Sequence, residues 1–439
     1  MARGRGAAGQ DFVTEATMPR HNAGGQPPIF VRATGCGSAG IATLVLDGDD
    51  AGLYLNPVFI CTRPLTSAAT GELLLGRLVD GAGRTVDEVM AAPLGKKDSE
   101  TGNAQVELSC HGGQGAVFAV EEALLAAGFA RGRGTELMER AHLNGRLSLI
   151  EIEARVRLSA AATARQAEFL LGHAQFRQRW ERLGFDMAMG MRSNETAWRG
   201  KLLQEARAGV ARQRAAAGLL AQHHVALVGP VNAGKSTLGN RLARADRHIV
   251  SAVPGTTLDR LDTPVEVRGL SVLLTDTAGW GAELDDVERE AQRRGQEAAQ
   301  SADLRLVVLD GSAAPGDRDA ELVSQCVAAG PVLLVLNKRD LGVDESAAGL
   351  GFLAGREPCV VSATTGEGFE GLLEGIERVL LGGTEPAPGA PFTRRHAHLQ
   401  QQLADGLEKG VDGSELLMYL RRLVGTRPNP DELAVALGE

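Results

Sequence analysis

Cysteine is scarce in this chain of 439 residues: its five thiols, Cys36, Cys61, Cys110, Cys326 and Cys359, are scattered, and no two form a C-x-x-C pair. That argues against a disulfide framework and against a structural zinc site, both of which need suitably spaced ligands. Long apolar runs are missing as well. No stretch is long and apolar enough to span a bilayer, and the opening residues MARGRGAAGQDFVTEA lack the apolar centre of a secretory signal. The expectation is a soluble cytoplasmic protein with no membrane partner. Nor is there an excess of positive charge. With a formal net charge of −9, contact with RNA would need a local basic patch, such as Arg394, Arg395 and His396, or Arg421 and Arg422. Clusters this short are commonly solvated helix faces.

What is present is enough apolar material for real cores, 44% hydrophobic against 23% charged residues, and a length that predicts two or three domains. Residues 1–32 are rich in Gly, Arg, Pro and Asn without a period and read as a floppy extension. Over 33–158, short apolar runs such as GIATLVLDG and AQVELSC alternate with helical stretches such as GQGAVFAVEEALLAAGF, an α+β pattern. Residues 159–222 turn rich in Ala, Gln, Arg and Glu at helical spacing. Strand–turn–helix units fill 223–381, where HHVALVGP, LSVLLTDTAG, LRLVVLDG, GPVLLVLNK and EPCVVSAT are near-continuous apolar runs, as parallel strands covered on both faces require. A turn-rich linker, 382–391, precedes a return of helical composition over 392–439. The organisation predicted is an α/β domain, a parallel sheet with helices on both faces, inserted into a helical domain whose halves flank it.

Five motifs in that α/β segment carry chemistry. Gly229-x-x-x-x-Gly234-Lys235-Ser236 follows a strand and opens a helix, the context of a P-loop. Its glycines let backbone N–H groups curl round phosphate oxygens, Lys235 adds a point charge at the β and γ phosphates, and the Ser236 hydroxyl can reach Mg²⁺. Asp276-Thr277-Ala278-Gly279 ends the strand SVLLT; its carboxylate can hold magnesium through water and the Gly279 N–H can sense the γ-phosphate. In Asn337-Lys338-Arg339-Asp340, a carboxylate placed like Asp340 pairs with guanine N1–H and its exocyclic amine, which adenine lacks. Ser362-Ala363-Thr364 fits a loop buttressing the base, and Gly255-Thr256-Thr257 a switch whose threonine touches magnesium. Their order and spacing predict a GTPase. The nucleotide site is expected to comprise Gly229, Asn232, Ala233, Gly234, Lys235, Ser236, Thr237, Thr256, Thr257, Asp276, Gly279, Asn337, Lys338, Asp340, Ser362 and Ala363, with Ser236, Thr257 and Asp276 around Mg²⁺. The residue after Asp-Thr-Ala-Gly is Trp280, which cannot orient an attacking water as glutamine does in many GTPases. Glu288, in the acidic stretch ELDDVEREAQRRG, is a candidate among several surface carboxylates.

Motifs outside that segment widen the comparison: ATGCGSAGIATLVLDG, VELSCHGG at Val106–Gly113 and ERAHLNGRLSLIEIEA from Glu139, beside GPVNAGKST, GTTLDR, DTAGW, DDVER, NKRD and SATTGEG. Together they resemble the tRNA wobble-uridine modification GTPase family (MnmE, also called TrmE). The resemblance implies an N-terminal domain with a folate-binding-like fold that makes a homodimer. It also implies two G domains that meet across GTP to stimulate hydrolysis, a flavin-containing partner protein, and tRNA as substrate. It assigns Asn232 to a K⁺ ion beside the phosphates, where the extra cation stabilises charge developing on the β–γ bridge. It assigns Glu288 to water orientation and places Thr256 and Thr257 in the switch that closes over the ions. The catalytic set implied is thus Glu288, Asn232 and Lys235.

For folate, the resemblance carries over Glu107 in VELSCHGG and Arg146 in LNGRL, the latter in place of a lysine. Glu107 reads equally as a polar residue on the exposed face of a strand, and His111 as a turn residue. Val45 stands where the family has an arginine, Gly35-Cys36-Gly37-Ser38-Ala39-Gly40 replaces its glycine-rich signature, and the last residues RPNPDELAVALGE hold no cysteine. Losing those charge-assisted bonds, each worth roughly a few kcal/mol, is expected to weaken a folate carboxylate site. A second reading therefore stands beside the first: a regulatory or scaffolding G protein on the same architecture, without the modification chemistry. A third, a ribosome-assembly GTPase, would call for an RNA-binding domain that the acidic helical regions do not offer.

Overall fold

The computed structural model describes residues 27–35, 37–193, 196–245, 262–276, 297, 299–349, 355, 357–387 and 389–425. They fall into two compact units, one running to Ile152 and one from Glu153 to Gly425.

In the first unit the run IATLVLD buries Ala42, Leu44 and Leu46 on one face, and QVELSCH buries Val106, Leu108 and Cys110 in step with it. This period of two makes a one-sided sheet. Its strands are β1 (Ile29–Arg32), β2 (Ile41–Asp47), β3 (Phe59–Cys61), β4 (Leu74–Val79), β5 (Thr85–Leu94), β6 (Gln105–His111) and β7 (Ala130–Arg131). Their order is β3-β4-β5-β6-β2-β1-β7, antiparallel throughout except for the parallel β1–β7 pair. Of the helices α1 (Ala51–Leu55), α2 (Gln114–Ala126) and α3 (Gly134–Leu143), α2 covers the buried face with Val117, Val120, Ala123 and Leu124. At the end of β2 the fully buried Asp47 accepts from Asn103 (3.0 Å), Gln105 (2.9 Å) and Arg140 (3.0 Å), and from the Thr101 hydroxyl. A buried carboxylate needs such partners, and here they tie α3 to the loop before β6.

The second unit takes up α4 (Leu149–Leu158) from Glu153 onward and continues with α5 (Ala164–Leu171), α6 (His173–Ser193) and α7 (Ala197–Leu220). The α/β segment then runs β8 (Gln222–Val228), α8 (Lys235–Ala245), β9 (Asp262–Val267), β10 (Leu270–Asp276), β11 (Leu304–Asp310), α9 (Asp317–Ala329), β12 (Val332–Asn337), α10 (Glu345–Ala348), β13 (Cys359–Val360) and α11 (Phe369–Leu380). Sheet order is β13-β12-β11-β8-β10-β9, with β9 alone antiparallel to its neighbour. Val225 and Leu227 of β8 pack with α8 and α11 through Leu238, Leu242, Leu372 and Ile376. Ala226 and Val228 pack on the opposite face with Leu322, Val323 and Cys326 of α9. The chain returns to the helices in α12 (Arg394–Glu408) and α13 (Gly413–Val424): α12 packs on α7 and α13, and α13 on α6. The P-loop domain is therefore inserted between two halves of one helical bundle.

Two readings of basic residues change here. Arg395 and His396 are neither an RNA patch nor a solvated face: both side chains turn inward onto Glu153 of α4, Arg395 by a two-pronged bond of 2.8 and 2.9 Å and His396 at 2.6 Å. His396 is wholly buried, stacked on Phe176 at 4.7 Å and edge-on to Phe392 at 4.6 Å. His111 is not in a turn but closes β6, exposed, with Nδ1 2.7 Å from Asp87.

Candidate nucleotide-binding site

Sheet order reverses at β8, which lies between β10 and β11. Loops at the carboxyl ends of strands flanking such a reversal open onto a crevice. Gly229 to Gly234 leave β8 there and lead into α8, whose first-turn N–H groups have no partners within the helix and attract anions. Glycine is required at both ends of this loop. A Cβ on Gly229 would collide with the Val308 carbonyl oxygen, and one on Gly234, at φ 90°, with the Asn337 amide nitrogen. Asn232 takes the left-handed conformation at φ 65°, which asparagine tolerates better than most residues, and stands exposed.

Lys235 is buried, and its Nζ donates to the carbonyl oxygens of Gly229 (3.0 Å) and Pro230 (2.9 Å), across the span a phosphate would occupy. Burial lowers its pKa, and Asp276 opposes that shift. Ser236 Oγ donates to Asp276 Oδ2 at 2.7 Å, while Asp276 Oδ1 is buried with no hydrogen-bond partner among the described residues. A hydroxyl and a carboxylate this close, with one carboxylate oxygen unsatisfied, fit the hard-oxygen ligation of Mg²⁺. Among the described residues no cluster of three or more His, Cys, Asp or Glu forms a separate metal site.

The base side is built from β12 and β13. Asn337, buried at the end of β12, donates from Nδ2 to the Ala233 carbonyl (2.9 Å) and accepts from the Ala363 N–H (2.9 Å), so one amide joins the phosphate loop to the base loop. Ser362 is buried, with Oγ accepting from the Thr365 N–H at 3.0 Å. Lys338 is left-handed at φ 65° and donates to Asp310 Oδ2 at 2.7 Å. Asp340 lies exposed in the turn Arg339–Leu341, and Thr237 is exposed in the first turn of α8. The structure thus gathers Gly229, Asn232, Ala233, Gly234, Lys235, Ser236, Thr237, Asp276, Asn337, Lys338, Asp340, Ser362 and Ala363 at one end of the sheet. Thr256, Thr257, Gly279 and Glu288 lie outside the described residues. Asp310 was not foreseen. Its signal was a carboxylate ending the strand LRLVVLD, in register with Asn337 on β12.

In the first unit Glu107 is exposed on β6, with Val45 of β2 and Ala92 of β5 as its direct cross-strand neighbours. Val45 and Glu107, two positions weighed above for folate, are therefore directly opposite one another. Arg146 is exposed and donates to the Lys96 carbonyl oxygen in the loop between β5 and β6.

Comparison with known proteins places these features. Residues 28–146 match the family described as GTP-binding protein TrmE N-terminus, and residues 224–338 the family described as 50S ribosome-binding GTPase. The tRNA modification GTPase MnmE of Symbiobacterium thermophilum is 35% identical over 378 residues, covering 81% of this chain and 83% of that protein. The protein of the same name from Roseiflexus castenholzii is 34% identical, covering 93% and 92%. A mitochondrial 5-taurinomethyluridine-[tRNA] synthase subunit of Homo sapiens is 34% identical, covering 90% and 87%.

Proposed function

The chain belongs to the family of tRNA modification GTPases, and from that premise we propose a homodimeric, potassium-dependent GTPase that modifies the wobble uridine of tRNA with a flavin-containing partner protein. GTP hydrolysis itself follows from the family and its GTPase segment. The observation that carries the potassium assignment is Asn232, exposed in a left-handed turn of the phosphate loop. An exposed amide oxygen on the phosphate loop could meet a cation beside the phosphates.

During hydrolysis water attacks the γ-phosphorus, the bond to the β–γ bridging oxygen breaks, and negative charge collects on the departing GDP. With nucleotide bound, Lys235 and the N–H groups opening α8 would face that charge. Ser236 and Asp276 would hold Mg²⁺, which neutralises phosphate charge, and Asn232 would hold K⁺, which adds positive charge where other GTPases use an arginine. In this reading Glu288 would orient the water, and Thr256 and Thr257 would belong to the switch around the ions. Glu288→Ala is expected to keep GTP affinity and lose most turnover, read in single-turnover assays; unchanged turnover would remove Glu288 from the mechanism. Asn232→Gly keeps the left-handed turn but deletes the amide oxygen. It should abolish the rate advantage of potassium over sodium, and a retained advantage would reassign the ion.

A GTP-driven scaffold without modification chemistry is favoured by one feature, Val45 facing Glu107 across β2 and β6. Nucleoside mass spectrometry of tRNA from cells with and without the gene separates the two readings. Loss of the wobble-uridine modification with the gene supports the enzyme, and its persistence supports the scaffold.

A further inference from the structure

We propose that Arg241 is a positioning residue for guanine recognition, acting through the loop Ser362–Thr364 rather than on the nucleotide itself. Arg241 lies on α8, six residues after Lys235, on the helix whose N-terminus faces the phosphates. Its Nε donates to the Ala363 carbonyl oxygen and its Nη2 to that of Thr364, each at 2.7 Å. The guanidinium lies over the Phe369 ring, 5.8 Å from its centroid, a cation–π contact that adds to its hold. Two donors held rigidly in one plane match two successive carbonyls, a geometry a lysine cannot reproduce.

Ala363 is consequently held at both ends of its backbone: its N–H by Asn337 and its C=O by Arg241. Asn337 in turn donates to Ala233 of the phosphate loop, which leads directly back into α8. These bonds close a ring from α8 through the phosphate loop, Asn337 and Ala363 to Arg241 and α8 again. Within the ring, the distance between the wall of the base pocket and the phosphate cradle cannot vary freely. Without Arg241 the ring opens on the base side only, because Lys235, Ser236 and Asp276 keep their own contacts. The loss should therefore fall on the part of the affinity that depends on the base.

The test compares GDP and ADP affinity of the full chain by competition against a fluorescent guanine nucleotide. Arg241→Ala should weaken GDP about tenfold, the equivalent of roughly one charge-assisted hydrogen bond, and leave ADP unchanged. Arg241→Lys, able to reach one carbonyl, should fall between it and the unaltered protein. It also carries the test if the alanine variant folds poorly. Arg244→Ala, exposed one turn further along α8, should not alter either affinity. GDP and ADP weakening together, unchanged GDP affinity in Arg241→Ala, or an equal effect from Arg244→Ala would each overturn the proposal.

Discussion

Gly234 shows how tightly single residues are constrained around the nucleotide. Its φ of 90° excludes most side chains, and the space a Cβ would need is taken by the Asn337 amide. Gly234→Ala should push Asn337 off the Ala233 carbonyl and lower GDP affinity at least about tenfold, measurable by calorimetry. Near-normal binding would mean that Asn337 can move without cost. Residues of this kind were legible in the sequence because a phosphate loop uses fixed residue types at fixed spacing. Asp310, which anchors Lys338 at 2.7 Å, was not, because its meaning comes from the neighbouring strand. The same holds for His396: next to Arg394 and Arg395 it resembled a surface cluster, yet on α12 the helical turn points it at Phe176, Phe392 and Glu153.

At the scale of elements, β9 of the β9–β10 hairpin is a strand that the sequence pattern does not mark. Asp262–Val267 carries Pro264 and buries only Val265 and Val267, so it lacks the continuous apolar run that marked the other strands. A proline is tolerated there because β9 lies at the sheet's edge. Arg268 and Gly269, at φ 50° and 80°, form the tight turn that joins the two strands. This turn is held by α5. Thr163 caps α5 by accepting from the Gln166 N–H and donates to the Gly269 carbonyl at 2.7 Å, out of water. Arg165 adds bonds to the Arg268 carbonyl (2.6 Å), Glu377 of α11 (2.5 Å) and Glu385 (2.6 Å). Thr163→Val keeps the shape but loses both hydroxyl bonds. It should cost about 1–3 kcal/mol in urea unfolding, from the lost cap and the unpaired carbonyl. A change below about 0.5 kcal/mol would show that the hairpin is secured without α5.

Across the whole molecule, the inserted domain requires two distant stretches of chain to find each other, and Glu153 is where they meet Arg395 and His396. Burial works against ionisation of Glu153, but His396 and the Arg395 fork outweigh it and hold its pKa below the ordinary 4.5. His396 is shifted below its ordinary 6.5, chiefly by burial, with Glu153 opposing. Both folded-state values are depressed, so in each case the unfolded chain binds protons that the folded one refuses. Stability from this cluster is therefore present above the unfolded values and declines as pH falls, first below about 6.5 through His396 and then below about 4.5 through Glu153. Arg395→Ala should destabilise the second unit at pH 7 by about 3–5 kcal/mol, since it strips a buried carboxylate of its fixed cation. The deficit should shrink toward pH 4, where Glu153 can take a proton in the variant. Denaturant titrations at several pH values check this, and a pH-independent deficit would point to lost packing instead.

Sequence alone determined the nucleotide chemistry and the placing of a P-loop domain between helical segments, because both are written in local terms. Phosphate cradling needs glycines and a lysine within one loop, parallel strands need unbroken apolar runs, and an inserted domain leaves helical composition on both sides. The tertiary structure decided which charged residues are surface and which are core, as with Arg395, His396 and Asp47, and which side chains support the site from behind, as with Asp310 and Arg241. Those assignments depend on partners far off in the chain, from 28 positions for Asp310 to 242 for Arg395. A buried charge is tolerated only where such a partner meets it, and neither residue type nor spacing specifies that meeting.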